Sequence, residues 1–189
     1  MLTTMRMQSR NGPRRWLRPL LLLAGIAACE PSPPRGAAAH VGTAPQRLPE
    51  GSVVLQGQAA LAALQQCSRS TPAQVRAAWS PNAAEIRALE SKLGPVLQAA
   101  LKQWRSGKLE LRLDDYRRQY VGIVHRDGTR SIYVNGFYHD TMDPSEQSRD
   151  STRWREEPVV VCDGGAGFFG VEYHPDTGTF GRLEFNGPA

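Results

Sequence analysis

The chain has 189 residues, of which 40% are hydrophobic and 22% charged, with a formal net charge of +5. Five of its 23 Lys and Arg lie before Cys29, where there is no acidic residue, and the remaining 18 are balanced by 18 Asp and Glu. The chain after that segment is therefore neutral, which removes the electrostatic reason to expect a nucleic-acid partner.

The amino terminus reads as an export segment. Arg6, Arg10, Arg14, Arg15 and Arg18 precede an apolar run from Leu20 to Ala28, too short to span a bilayer. The run ends in Ile26-Ala27-Ala28-Cys29, which resembles the lipobox of bacterial lipoproteins. The resemblance implies a signal peptide over residues 1–28 and acyl chains such as palmitate on Cys29. With Glu30 rather than Asp following, it also implies an outer-membrane anchor facing the periplasm. Two or more acyl chains, at about 0.8 kcal/mol per buried CH₂, hold a protein stably on a membrane. The Arg14-Arg15 pair leaves both Sec and twin-arginine export open. Residues 29–50, with Pro31, Pro33, Pro34, Pro45 and Pro49, read as a tether spanning about 25 Å if flexible and about 60 Å if polyproline-like.

Residues 51–189 have the length of one domain, without internal repeats. Leu61, Leu64 and Cys67 recur at three-residue spacing and predict a short helix ending near Ser68. Ser80-Pro81 and the Asn82-x-x-Glu85 capping box offer alternative starts for a second helix. Its apolar stripe runs through Ile86, Leu89, Leu93, Val96, Leu97, Ala100, Leu101 and Trp104, with a kink or break expected at Gly94-Pro95. After Gly107 the period changes to two. "KLELRL", the two runs flanking Asp127-Gly128, "PVVVC" and "FFGVEY" all read as strands.

Two cysteines remain once Cys29 is acylated. In an oxidising periplasm Cys67 and Cys162 are expected to form a disulfide, and without a nearby His cluster a zinc site is not expected. Gly165-x-Gly167-x-x-Gly170 follows the valine run with the spacing of a dinucleotide loop. That fingerprint requires a helix next, and the aromatic and branched residues after Gly170 leave no room for one. Tyr173-His174-Pro175-Asp176-Thr177-Gly178-Thr179-Phe180 instead resembles the core of the designed chignolin-type mini-hairpins, which implies a tight turn with Tyr173 packed on Phe180.

No catalytic motif is present, and no catalytic residue, metal ligand or cofactor is assigned. His125, His139, Asp140, Asp143, His174 and Asp176 are the titratable candidates; His139, Asp140 and Asp143 fall in a polar loop between Tyr138 and Arg155. Tyr120, Tyr133 and Tyr138, on the first hairpin, are the candidates for an aromatic binding face, the alternative being cross-strand pairs that simply stabilise the hairpin. The expected fold is α+β: amino-terminal helices on an antiparallel meander, an order that resembles the cystatin-like plan. The expected role is a membrane-anchored envelope lipoprotein that binds a protein or cell-wall component. The alternative is a small periplasmic enzyme or enzyme inhibitor using His139, Asp140 and Asp143.

Overall fold

A computed structural model describes residues 47–104, 110–138 and 152–188, all within one compact unit, Gly42–Ala189. The export segment, Cys29, most of the tether and the trio His139, Asp140 and Asp143 lie outside the described residues.

The frame is a mixed seven-stranded sheet with one long helix. Three long strands form its centre as an antiparallel meander: β3 (Tyr116–His125), β4 (Arg130–Tyr138) and β5 (Phe168–His174). Along one edge, β1 (Ser52–Val54) runs parallel to the first half of β3, and β2 (Val75–Trp79) runs antiparallel to its second half. Along the other edge, β6 (Thr179–Phe180) and β7 (Glu184–Phe185) share β5, both antiparallel to it. Two strands thus interleave with the helices, so the expected order of helices followed by meander is replaced by β1, α1, β2, α2 and then the meander.

Helix α1 spans Gly57–Ala62 and α2 spans Ala83–Gln103. The Asn82 side chain accepts from the amides of Ala84 and Glu85, and Glu85 returns a carboxylate to the Asn82 amide at 2.8 Å. These bonds satisfy donors that a helix start leaves free. Replacing Asn82 with Ala is expected to cost about 1 kcal/mol in urea unfolding, and no change would show the cap to be idle. Of the kink or break expected at Gly94-Pro95, the break does not occur: the helix continues through Pro95. Ile86, Leu89, Leu93, Leu97 and Leu101 are all buried along it, each contributing roughly 1.5–3 kcal/mol by burial.

Alternation along the strands sends Tyr116 and Tyr120 of β3, Ile132 and Val134 of β4, and Phe169, Val171 and Tyr173 of β5 into this helix-facing core. The opposite face carries Gln119, Val121 and Ile123, then Ser131, Tyr133, Asn135 and Phe137, then Phe168 and Glu172. That face is covered as well. Ala60 and Ala63 pack on Val121, Ile123 and Tyr133, while Trp154, Val159 and Val161 pack with Phe137 and Phe168.

Several sequence readings change here. Leu61 is 40% exposed, and the buried side of α1 is Ala60 with Ala63 after it, because small side chains let a short helix lie close to the sheet. The described part of "KLELRL", residues 110–113, is not a strand, and its last residue opens a 3-10 turn, Leu113–Asp115. "PVVVC" has no strand partner and crosses the second face as irregular chain. Cys67 and Cys162 are joined in a disulfide, 95 residues apart in sequence. The glycine loop feeds β5 through a 3-10 turn at Gly165–Gly167 rather than opening a helix. The last hairpin has the expected form: Tyr173 pairs with Phe180 at 4.9 Å between ring centroids, and Gly178 takes φ +67°.

Candidate functional site

The covered second face holds a continuous polar network where a sheet core is ordinarily apolar. At its centre is Arg69, only 8% exposed, two residues beyond Cys67. Its Nε donates to Tyr133 Oη at 3.1 Å, and its two terminal nitrogens donate to Asn186 Oδ1 and Asn135 Oδ1. All three acceptors are neutral groups. Asn135 passes its amide donors on, to Gln119 Oε1 at 2.9 Å and Val159 O at 2.8 Å. Gln119 in turn donates to Trp154 O and Glu157 O and accepts from Val159 N. Asn186 donates to Val161 O and Asp163 O.

This network explains the missing strand. The "PVVVC" segment has its backbone polar groups taken by side-chain amides projecting from β3, β4 and the chain after β7, in place of a neighbouring strand. Buried backbone groups require such partners.

Gly170 belongs to the same arrangement. A Cβ at that position would lie 2.3 Å from Tyr133 Oη and 2.7 Å from Arg69 Nε. The Arg69 and Tyr133 side chains therefore lie across a bare strand. Gly170→Ala is expected to destabilise the domain by about 2 kcal/mol by thermal or urea unfolding; a variant as stable as the parent would contradict the close approach.

At the far end of this face His125 Nε2 lies 2.8 Å from Ser131 Oγ and 2.8 Å from Glu172 Oε1, while Nδ1 lies 3.3 Å from Ala73 O. Ser, His and Glu in contact invite comparison with a hydrolytic triad. In a triad the serine and the carboxylate engage opposite ring nitrogens, so that the base both takes the hydroxyl proton and is held by the acid. Here they share one nitrogen, and Ser131 is fully buried. The trio ties β3, β4 and β5 to the turn at Ala73.

On the helix side a second cluster links α2 to the sheet. Arg118 Nε lies 3.0 Å from Glu90 Oε1, which also accepts from Tyr120 Oη. The Arg118 fork further donates to Leu113 O, Tyr116 O and Glu50 O.

The tyrosines predicted as a binding face do not form one. Tyr120 is fully buried against α2, and Tyr133 is 1% exposed on the opposite side of the sheet. Tyr138 is half-buried with its ring edge-on to Tyr116. Strand alternation separates the first two, and cover on both faces of the sheet removes the surface they were to supply. His174 sits half-buried at the end of β5, and Asp176 is exposed in the hairpin turn.

Burial raises the phenol pKa of Tyr116, Tyr120 and Tyr133, with the Glu90 carboxylate adding to the effect at Tyr120. Below the ordinary phenol value of 10.0 these groups are neutral in both folded and unfolded chains. Above it the unfolded chain releases protons that the folded one keeps, so stability falls as pH rises, by up to about 1.4 kcal/mol per pH unit for each phenol. Three of the five tyrosines are expected to ionise only together with unfolding, seen as coincident steps in tyrosinate absorbance and circular dichroism. Smooth titration of all five without loss of fold would contradict this.

Among the described residues no group of three or more His, Cys, Asp or Glu is placed to hold a metal, and no helix is long and apolar enough to cross a membrane. Half-buried Val96, Ala100, Trp104, Leu183 and Phe185 line a groove of about 560 Å³ between the end of α2 and β7. Comparison with protein-family models, with curated proteins and with solved structures finds no significant match.

Proposed function

We propose that this chain is a lipid-anchored envelope protein whose folded domain is a binding module for another envelope protein or a cell-wall component. The observation that carries the reading is the Cys67–Cys162 disulfide. Such a bond persists in oxidising compartments, in agreement with an export segment ending at an acylated Cys29. Tethered through residues 29–50, the domain would face the periplasm from the outer membrane.

A binding role, rather than hydrolysis, is favoured by the use made of the most reactive side chains. His125, Ser131 and Glu172 are engaged with one another through a single imidazole nitrogen and Arg69 is spent on neutral acceptors. Both arrangements stiffen the domain, and a rigid surface loses less freedom on binding.

The test is in-cell crosslinking of the acylated chain, followed by affinity capture from washed envelopes and mass spectrometry. One envelope partner recovered above an unrelated lipoprotein control is the expected result. Recovery of nothing above that control, together with turnover of a small substrate by the purified chain, would overturn the binding reading.

A further inference from the structure

We propose that Arg117, Trp154 and Arg155 form a phosphate-binding site that meets the lipid headgroups of the membrane carrying the chain. The choice of a membrane as the source of phosphate rests on the lipid-anchor reading; the anion site itself rests on geometry. Trp154 lies on the second face of the sheet, 5% exposed, edge-on to Phe137 at 5.8 Å between centroids. Its carbonyl accepts from the Gln119 amide at 2.5 Å. The indole is therefore fixed from below. Over its ring stand two guanidinium groups, with Arg117 Cζ at 5.3 Å and Arg155 Cζ at 4.6 Å from the centroid. Neither pairs with a carboxylate among the described residues, whereas nearby Arg153 is joined to Glu157 at 2.7 Å.

A guanidinium stacked on an aromatic ring uses its face and leaves its in-plane N–H groups free. Sharing one ring brings the two cations to within about 10 Å, a separation over which salt screens only in part. An oxyanion that accepts from both forks offsets that repulsion. Phosphate suits this task because its oxygens take charge-assisted hydrogen bonds from arginine in pairs. The indole also holds both side chains in place before the anion arrives, which lowers the entropy lost on binding.

The position of the site points to a membrane source. Val53 of β1 packs against the Phe137, Trp154 and Phe168 cluster. Ser52 of β1 pairs with Arg118, the residue after Arg117, and the Arg118 amide donates to Gly51 O at 2.9 Å. The two guanidinium groups thus stand where the chain enters the domain from its tether, and a tether of at most about 60 Å keeps headgroups within reach.

The test is arginine footprinting with phenylglyoxal on the full chain in neutral-detergent micelles, read residue by residue by mass spectrometry. Arg76 and Arg182, exposed elsewhere on the domain, serve as internal references. Doping the micelles with phosphatidylglycerol is expected to slow modification of Arg117 and Arg155 about fivefold, by occupying their N–H groups, and to leave the references unchanged. Unchanged rates with both the lipid and inorganic phosphate, or equal slowing of all four arginines, would overturn the site. Protection by inorganic phosphate without protection by the lipid would overturn the membrane as its source. The mass of the Cys29 peptide in the same sample reads the anchor separately: an unacylated Cys29 would remove the lipoprotein reading and leave the footprint interpretable, because the micelle presents the headgroup either way.

Discussion

Removing the Cys67–Cys162 disulfide is expected to lower the stability of the domain by about 4 kcal/mol. The bond closes a loop over a sequence separation of 95 residues, and the chain-entropy model gives up to about 4.7 kcal/mol for a loop of that size. Its position adds a local effect. Cys67 lies just beyond α1 and Cys162 lies in the irregular segment that covers Phe137 and Phe168. Both covers are held to the sheet by side-chain bonds and small apolar contacts rather than by a strand ladder. Without the bond, amide hydrogen exchange should rise first in residues 63–74 and 157–164, ahead of β3, β4 and β5. Urea unfolding of the Cys67→Ala/Cys162→Ala chain checks the magnitude. A loss below about 1 kcal/mol would show that the covers are secured without it.

The second large effect is expected at Arg69. Arg69→Met keeps much of the volume and removes three donors at once, from Tyr133, Asn135 and Asn186. Buried acceptors left without partners cost about 1–3 kcal/mol each, partly recovered by relaxation, so a loss of about 3 kcal/mol is expected. Arg69→Lys should restore little, because an ammonium on a flexible stem does not reproduce a planar fork reaching three acceptors. Equal stability of Arg69→Met and the parent would mean that the polar network is dispensable and that the covers rest on apolar contact alone. Additivity with the cysteine variant is not expected, since Arg69 and Cys67 hold the same segment.

Local signals in the sequence were legible where one short stretch contains all the physics. Asn82 and Glu85 specify a helix start by their own side chains, and the five leucine and isoleucine positions behind them repeat at the helical period. Asp127-Gly128 closes a hairpin because Gly128 takes φ +88°. Tyr173 and Phe180 meet because the turn between them allows little else. Legibility failed where a distant group decided the outcome. "PVVVC" has the composition of a strand, yet Gln119, Asn135 and Asn186, remote in sequence, take its backbone bonds. Alternation along β3 and β4 correctly separates two faces, but nothing in it says that both are covered, and so it gives no reason to take Tyr120 and Tyr133 off the surface. Arg69 stands in a polar stretch with no period at all. Its role depends on a bare position at Gly170 and an asparagine near the end of the chain.

The most direct measurement is the intact mass of the chain isolated from envelopes without reductant, before and after thiol labelling. A chain beginning at Cys29, carrying acyl chains and offering no free thiol at Cys67 or Cys162, is the expected result. A chain with an unmodified Cys29 and two thiols open to label would contradict both the anchor and the oxidised, exported domain on which the proposed function stands.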